Sequence, residues 1–336
     1  MSVKGQNTYF FDVPVYVAGS AAVGGPMEGQ GPLGPCFDKI SPALQSKGGN
    51  WEETEIGMQK DVLDILLKKA DFAHKTVDLL LGGDLINQLT VTNFAAKERD
   101  MPFLGLYNAC ATMAEGLLLA ASLLGGGYIR KAAVVASSHN ATSERQYRNP
   151  TELGAQRPMW SQWTVTAAGA VALSCKPSAL KVLSGTVGRI VDMGVKDPND
   201  MGAAMAPAAA KTITEHLHNS GREAKDYDLI CTGDLGSHGH TLLGTLLEKE
   251  GITLDERFQD GGMRIYQKNQ DAHAGGSGAG CSAAVWSSYV IPALQRGKYR
   301  RVLLVGTGAL LSTVSVGQGK SIPAIAHAVE IVKEGC

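Results

Sequence analysis

Cys110 is the residue of this chain best placed to do chemistry. It stands between an apolar segment, 102–107, and a run of small and apolar residues that continues to Gly127. A thiol at the start of a buried helix faces the positive end of the helix dipole and unpaired backbone N–H groups, which favour thiolate and can hold an oxyanion. That is the setting of a nucleophile. Cys also serves as a small apolar filler in tight packing, so position alone leaves both roles open.

The second half of the chain repeats this setting. Asp78-Leu-Leu-Leu-Gly-Gly-Asp84-Leu returns as Asp228-Leu-Ile-Cys-Thr-Gly-Asp234-Leu, at an offset of 150 (234 − 84). Cys110 lies 17 residues before Gly127 (127 − 110), and Cys281 lies 16 before Gly297 (297 − 281). After each glycine comes a short stretch with basic residues and then an apolar strand, 132–138 in one case and 302–306 in the other. The shared order of strand, helix and strand predicts a duplication. Its halves are 1–178, with the Cys110 helix, and 179–336, with the Cys281 helix.

The elements that must position the two cysteines alternate along the chain. Asn50 is an N-cap with Glu53 three residues on, and Ile56, Val62, Leu63, Leu66 and Leu67 follow at helical spacing. Strands are expected at 77–81, 102–107, 132–138, 164–174, 180–191, 227–232, 300–306 and 322–332, with helices at 87–99, 110–125, 201–219, 238–250 and 280–296. Apolar strands without alternation, separated by helices, indicate sheets buried on both faces. The fold class is α/β, with duplicated halves in five layers, α/β/α/β/α.

Composition excludes several classes of function. The 336 residues carry 31 basic and 32 acidic side chains, a net charge of −1, so no overall field selects nucleic acid or a membrane surface. No apolar run approaches the roughly 20 residues of a membrane span, and residues 1–10 do not form a signal peptide, so a cytosolic chain is expected. The six Cys, at 36, 110, 175, 231, 281 and 336, show neither CxxC pairs nor metal spacing and read as free thiols. No P-loop or dinucleotide fingerprint is present.

Two duplicated α/β halves with Cys at the N-terminus of the first buried helix resemble the thiolase and ketoacyl-synthase superfamily. Longer strings are similar to one family within it, the stage V AD proteins of bacterial sporulation. They run from Gly25-Pro26-Met-Glu28-Gly-Gln-Gly-Pro32-Leu-Gly34, through Gly83-Asp-Leu-Ile-Asn87, the segment Ser137–Glu152, Asp200-Met-Gly-Ala-Ala-Met-Ala-Pro207 and Ala274–Ser282, to Ile322-Pro-Ala-Ile-Ala-His327. The resemblance implies a five-layer thiolase-like fold and a homodimer with strand 102–107 near the two-fold. It further implies dipicolinic acid as ligand, with or without calcium, and membrane proteins of the same spore channel as partners, which would hold the chain peripherally at the spore inner membrane. No cofactor, metal site or nucleic acid is implied.

The superfamily resemblance also implies a catalytic set of Cys plus two His, or His and Asn. Cys110 fits the nucleophile, but the glycine-rich segment that carries Gly-His-Pro in thiolases reads Gly275-Gly-Ser-Gly-Ala-Gly280 here, and the last thiol-bearing loop reads Gly306-Thr-Gly-Ala309. His238, His240 and His273 fall off the motif. A non-catalytic binding protein is therefore expected, with a Cys110-dependent acyltransferase on coenzyme A thioesters and a structural adaptor as alternatives. A flat pyridine dicarboxylate calls for Arg forks, hydroxyls, backbone N–H groups and a slot for the ring. The candidate ligand set is Cys110, Ser137, Ser138, His139, Asn140, Arg145, Arg148, Gly276, Ser277 and Ser282. Arg145 and Arg148 would share one helical face.

Overall fold

The computed structural model describes residues 1–45 and 49–335; Cys336, the end of the second expected half, lies outside the described residues. Its ten principal strands are β1 (Thr8–Gly24), β2 (Leu79–Gly83), β3 (Phe103–Gly105), β4 (Lys131–Ser138), β5 (Ala167–Ser174), β6 (Leu180–Thr186), β7 (Leu229–Thr232), β8 (Phe258–Asp260), β9 (Arg301–Ala309) and β10 (Ala324–Lys333). In space they run β8-β7-β9-β10-β6-β1-β5-β4-β2-β3. Strands β1–β5 are thus ordered 3-2-4-5-1, and β6–β10 repeat that order. Pairing sense repeats too: in each half the fifth strand is antiparallel to both neighbours and the other pairs are parallel. The duplication read from two octamers is a duplication of topology.

The halves meet edge to edge. β1 pairs antiparallel with β6, Thr8 opposite Thr186 and Phe10 opposite Ser184, then Val15 opposite Val182 beyond an irregularity. Helices α1 (Trp51–Ala70) and α2 (Thr90–Lys97) cover the outer face of the first sheet, and α3 (Thr112–Gly125) lies between the sheets. A short helix, α4 (Asn140–Tyr147), follows β4. Helices α5 (Met201–Ser220) and α6 (Gly236–Lys249) cover the outer face of the second sheet, and the segment that opens with α7 (Ala279–Val285) stacks with α3 between the sheets.

Strand alternation explains the layering. In β4, Ala132, Val134 and Ala136 point to the central helices, whereas Ala133 and Val135 point to α1 with Leu63, Leu66 and Leu67. Both faces are apolar because both are covered. Asn50 caps α1 as expected, its Oδ1 accepting from Glu53 N–H at 2.8 Å.

Both Cys helices depart from one continuous stretch. Cys110 sits not in α3 but in a 3-10 turn, Ala109–Ala111, and Ala109 has φ +49°, the left-handed region. The 280–296 stretch is broken by a π turn, Trp286–Val290, before Ile291–Gln295. Pro292 has no N–H to return to the preceding turn, so the wider turn falls just before it. The strand expected over 102–107 holds only Phe103–Gly105.

Candidate functional site

The first sheet delivers Cys110 through a sharp reversal. Beyond β3, Leu106 N–H still donates to Gly82 O at 2.8 Å; the chain then turns through Ala109 into the 3-10 turn and α3. From the second half, Ser282 Oγ donates to Cys110 O at 3.2 Å. The end of β9 closes on the same turn, and a Cβ on Gly308 would stand 3.0 Å from Asn108 O. The thiol therefore lies at the junction of the halves.

Asp234 is the group that faces it. Its Oδ2 accepts from Gly278 N–H at 2.9 Å and its Oδ1 from Thr307 Oγ1 at 2.7 Å, and the same carboxylate is near enough to the Cys110 thiol for its charge to act on it. Burial, then the charge of Asp234, push the Cys110 thiol well above its ordinary range. Burial pushes Asp234 itself up to about 7, against the hydrogen bonds from Thr307 and Gly278. Burial and the neighbouring carboxylate thus work against the thiolate expected at a helix start. The turn Ala109–Ala111 takes the cysteine off the axis of α3 and sets it against a carboxylate.

Around the thiol lies a cavity of about 400 Å³, lined by polar side chains including Asn87, Ser143, Arg148 and Ser277, by the Tyr107 and Tyr147 rings, and by residues 309–314. Tyr107 and Tyr147 hydroxyls lie 3.0 Å apart. Arg148 enters from the end of α4. Its Nε donates to Glu144 Oε2 at 2.9 Å, and its Nη2 donates to Glu144 Oε1 and to Thr164 Oγ1, the latter at 3.2 Å.

The ten candidate residues divide. Cys110, Arg148 and Ser277 line the cavity, and Ser282 holds the carbonyl of Cys110. The others go elsewhere. Ser137 faces the outer layer, donating to Glu55 Oε1 at 2.6 Å and accepting from Gln59, because alternation turns it away from Ser138. Ser138 joins the halves, donating to Val165 O and accepting from Gly280 N–H. His139 caps α4 through Nδ1, and with Asn140 lines a different cavity beside Met27, Trp51 and Trp163. Gly276 pairs with Trp163 in a two-residue parallel bridge.

Arg145 and Arg148 do not share a face. Arg148 has φ −133° and ψ −103°, so it has left the helix, and Arg145 turns outward to pair with Glu52 and lie over Trp51. Sequence reasoning missed Asp234, Thr307, Glu144 and Tyr107 as site residues, whereas Tyr147 stands in the polar segment after β4 that the ligand chemistry singles out. The signal for Asp234 was present in the repeat. Its counterpart Asp84 accepts from Ile86 and Thr92 N–H and from Thr92 Oγ1, whereas in the second half Asp260 accepts from Leu235 and Gly236 N–H and leaves Asp234 free to meet the thiol.

A family model described as Stage V sporulation protein AD (SpoVAD) matches residues 5–332. The stage V sporulation protein AD of Bacillus subtilis (strain 168) is 42% identical over 335 residues, covering 100% of this chain and 99% of that one. The chain belongs to the SpoVAD family. The fold of this SpoVAD member is thiolase-like. A single-residue variant of OleA from Xanthomonas campestris aligns with a TM-score of 0.61 at 16% identity, over 99% of this chain and 100% of that one. The 3-oxoacyl-[acyl-carrier-protein] synthase III of Aquifex aeolicus VF5 aligns at 0.58 and 13% identity, over 95% and 99%.

Within this SpoVAD chain, no histidine is among the described residues that line the Cys110 cavity. His238 pairs with Asp200, and His273 with Asp271 and Pro158 O. His240 senses Asp260. His327 is buried between Gly188 N–H and Asn108, and desolvation holds its pKa down to about 4, so the ring is neutral. Cys281, unlike Cys110, is enclosed in the central core, its Sγ directed at Gly233 O.

Proposed function

We propose that this SpoVAD-family chain binds dipicolinic acid in the Cys110 cavity without turning it over, as the peripheral component of the spore channel that takes up dipicolinate during sporulation. One observation carries the non-catalytic part: no histidine is among the described residues that line the cavity, and the carboxyl group beside the thiol adds a charge that disfavours thiolate rather than a positive field that would favour it. Arg148, Ser277 and the paired tyrosines supply a charged donor, a hydroxyl and aromatic walls, the groups a small aromatic acid requires. In this proposal the chain acts as a homodimer across β3 and reaches the spore inner membrane through integral channel proteins; calcium can accompany the ligand. Acyl transfer is the second reading, favoured by the thiol's place in an open cavity on this fold.

Titration with dipicolinate and with acetyl-coenzyme A separates the two. Dipicolinate should bind, and R148A should weaken it by about 1.5–3 kcal/mol, the scale of a charged hydrogen bond, with R148K restoring only part. R145A should leave affinity unchanged, since Arg145 points to Trp51. Thioester exchange should stay at background; turnover that disappears in C110A would establish acyl transfer instead.

A further inference from the structure

Helix α4 and its end bring two neighbouring sets of side chains to the Cys110 cavity. Glu144 and Arg148, four residues apart, pair on one side, where Arg148 Nη2 also donates to Thr164 Oγ1 at 3.2 Å. Arg148 Nη1 keeps only Pro198 O at 3.5 Å and Met201 Sδ at 3.8 Å, so it can still donate to a ligand. Ser143 and Tyr147, also four apart, line the cavity on the other side together with Gln146. This second side packs on the segment after β2: Gln146 Nε2 donates to Leu85 O at 2.8 Å, Gln146 Oε1 accepts from Asn87 N–H at 3.0 Å, and Tyr147 O–H donates to Leu85 O.

Gln146 and Tyr147 are thus engaged, and Ser143 is not. Ser143 is 2% exposed and its Oγ has no hydrogen-bond partner. Among the described residues that line the cavity, it alone has a side-chain oxygen or nitrogen buried in that state. A buried hydroxyl without a partner is destabilising, and at a helical position Ala would serve stability better. The fold gains nothing from this hydroxyl; an acceptor inside the cavity would.

We infer that the Ser143 hydroxyl donates to the second carboxylate of a planar diacid whose first carboxylate meets Arg148, and that this serine selects diacids over monoacids of the same ring. The inference rests on the carboxylate-binding reading of the cavity. A serine hydroxyl turns about a single bond and offers one hydrogen, so the backbone keeps its place. The pairing replaces an unmatched buried group by a charge-assisted hydrogen bond.

The test is calorimetric titration of dipicolinate, its carbocyclic analogue isophthalate and the monoacid picolinate into the wild type, S143A and R148A. S143A should weaken both diacids about tenfold or more and picolinate less than about twofold, whereas R148A should weaken all three. Without ligand, S143A should melt no lower than the wild type, because no hydrogen bond is lost. Equal losses for picolinate and the diacids, or no loss for any of them, overturn the inference. A lower melting temperature in S143A also overturns it, since the hydroxyl would then be a structural donor. Should isophthalate follow the pattern while dipicolinate binds no form, the dipicolinate reading falls and the role of Ser143 stands. If none of the three binds the wild type, both fall.

Discussion

At the scale of single residues, the decisive pair is Cys110 and Asp234. Asp234 keeps its proton in the folded chain up to about pH 7 but releases it near the ordinary 3.8 when unfolded. The folded state therefore binds more protons across that window, and stability falls as pH rises through it. D234N lacks this term. Between about pH 5 and pH 8 the stability of D234N relative to the wild type should rise by about 2–3 kcal/mol, at about 1.4 per unit, as read from paired melting curves. An unchanged difference would show that Asp234 is ionised throughout. D234N should also hasten alkylation of Cys110, because the negative charge that opposes thiolate is gone.

At the scale of elements, the site depends on short irregular pieces rather than on long helices. Gly278 is the sharpest case: it has φ +104°, its N–H donates to Asp234, and an added Cβ would lie 2.7 Å from Ser138 Oγ. G278A should cost about 1–3 kcal/mol in backbone strain and displace that donor, so its melting temperature should fall and dipicolinate affinity with it. Wild-type stability in G278A would mean that the segment relaxes freely. The regular elements were legible in the sequence because periodicity and capping report burial, as Asn50 with Glu53 did for α1 and the apolar run 132–138 did for β4. The irregular ones carry no period. Nothing in the order Asn108-Ala-Cys-Ala shows that Ala109 turns left-handed, nor does Arg145-Gln-Tyr-Arg148 show that Arg148 leaves its helix. Contacts across 124 residues (234 − 110), such as Asp234 with Cys110, are set by how two halves dock, and only the repeated Gly-Asp-Leu marked the place.

At the scale of the whole molecule, the proposed dimer has a surface that suits it. β3 is the outermost strand of the first sheet in the single chain, with Leu104 and the nearby Phe94 and Tyr107 about half exposed. A second copy would remove that open edge from water. Sedimentation should give twice the 35.3 kDa chain mass, and L104R should give the chain mass alone; a wild-type monomer at micromolar concentration would exclude this interface. No helix among the described residues is long and apolar enough to cross a membrane. In flotation with protein-free liposomes, anionic ones included, the purified chain should stay in the soluble fraction.

The seam between β1 and β6 has a consequence for the order in which the protein is made. β1 is synthesised first, yet its main hydrogen-bonding neighbours are β5 and β6, which end at Ser174 and Thr186. At roughly 5–20 residues per second, the ribosome needs about ten to thirty seconds after completing β1 to deliver them. During that interval the run Thr8–Gly24, rich in Val, Phe and Ala, is paired only at its ends, with Ser2–Lys4 and Lys39–Ile40, and offers the rest of its edges to any other nascent chain. Its yield in a cell should depend on whatever shields a young chain during those seconds, and a reordered gene in which β1 follows β6 would lessen that dependence.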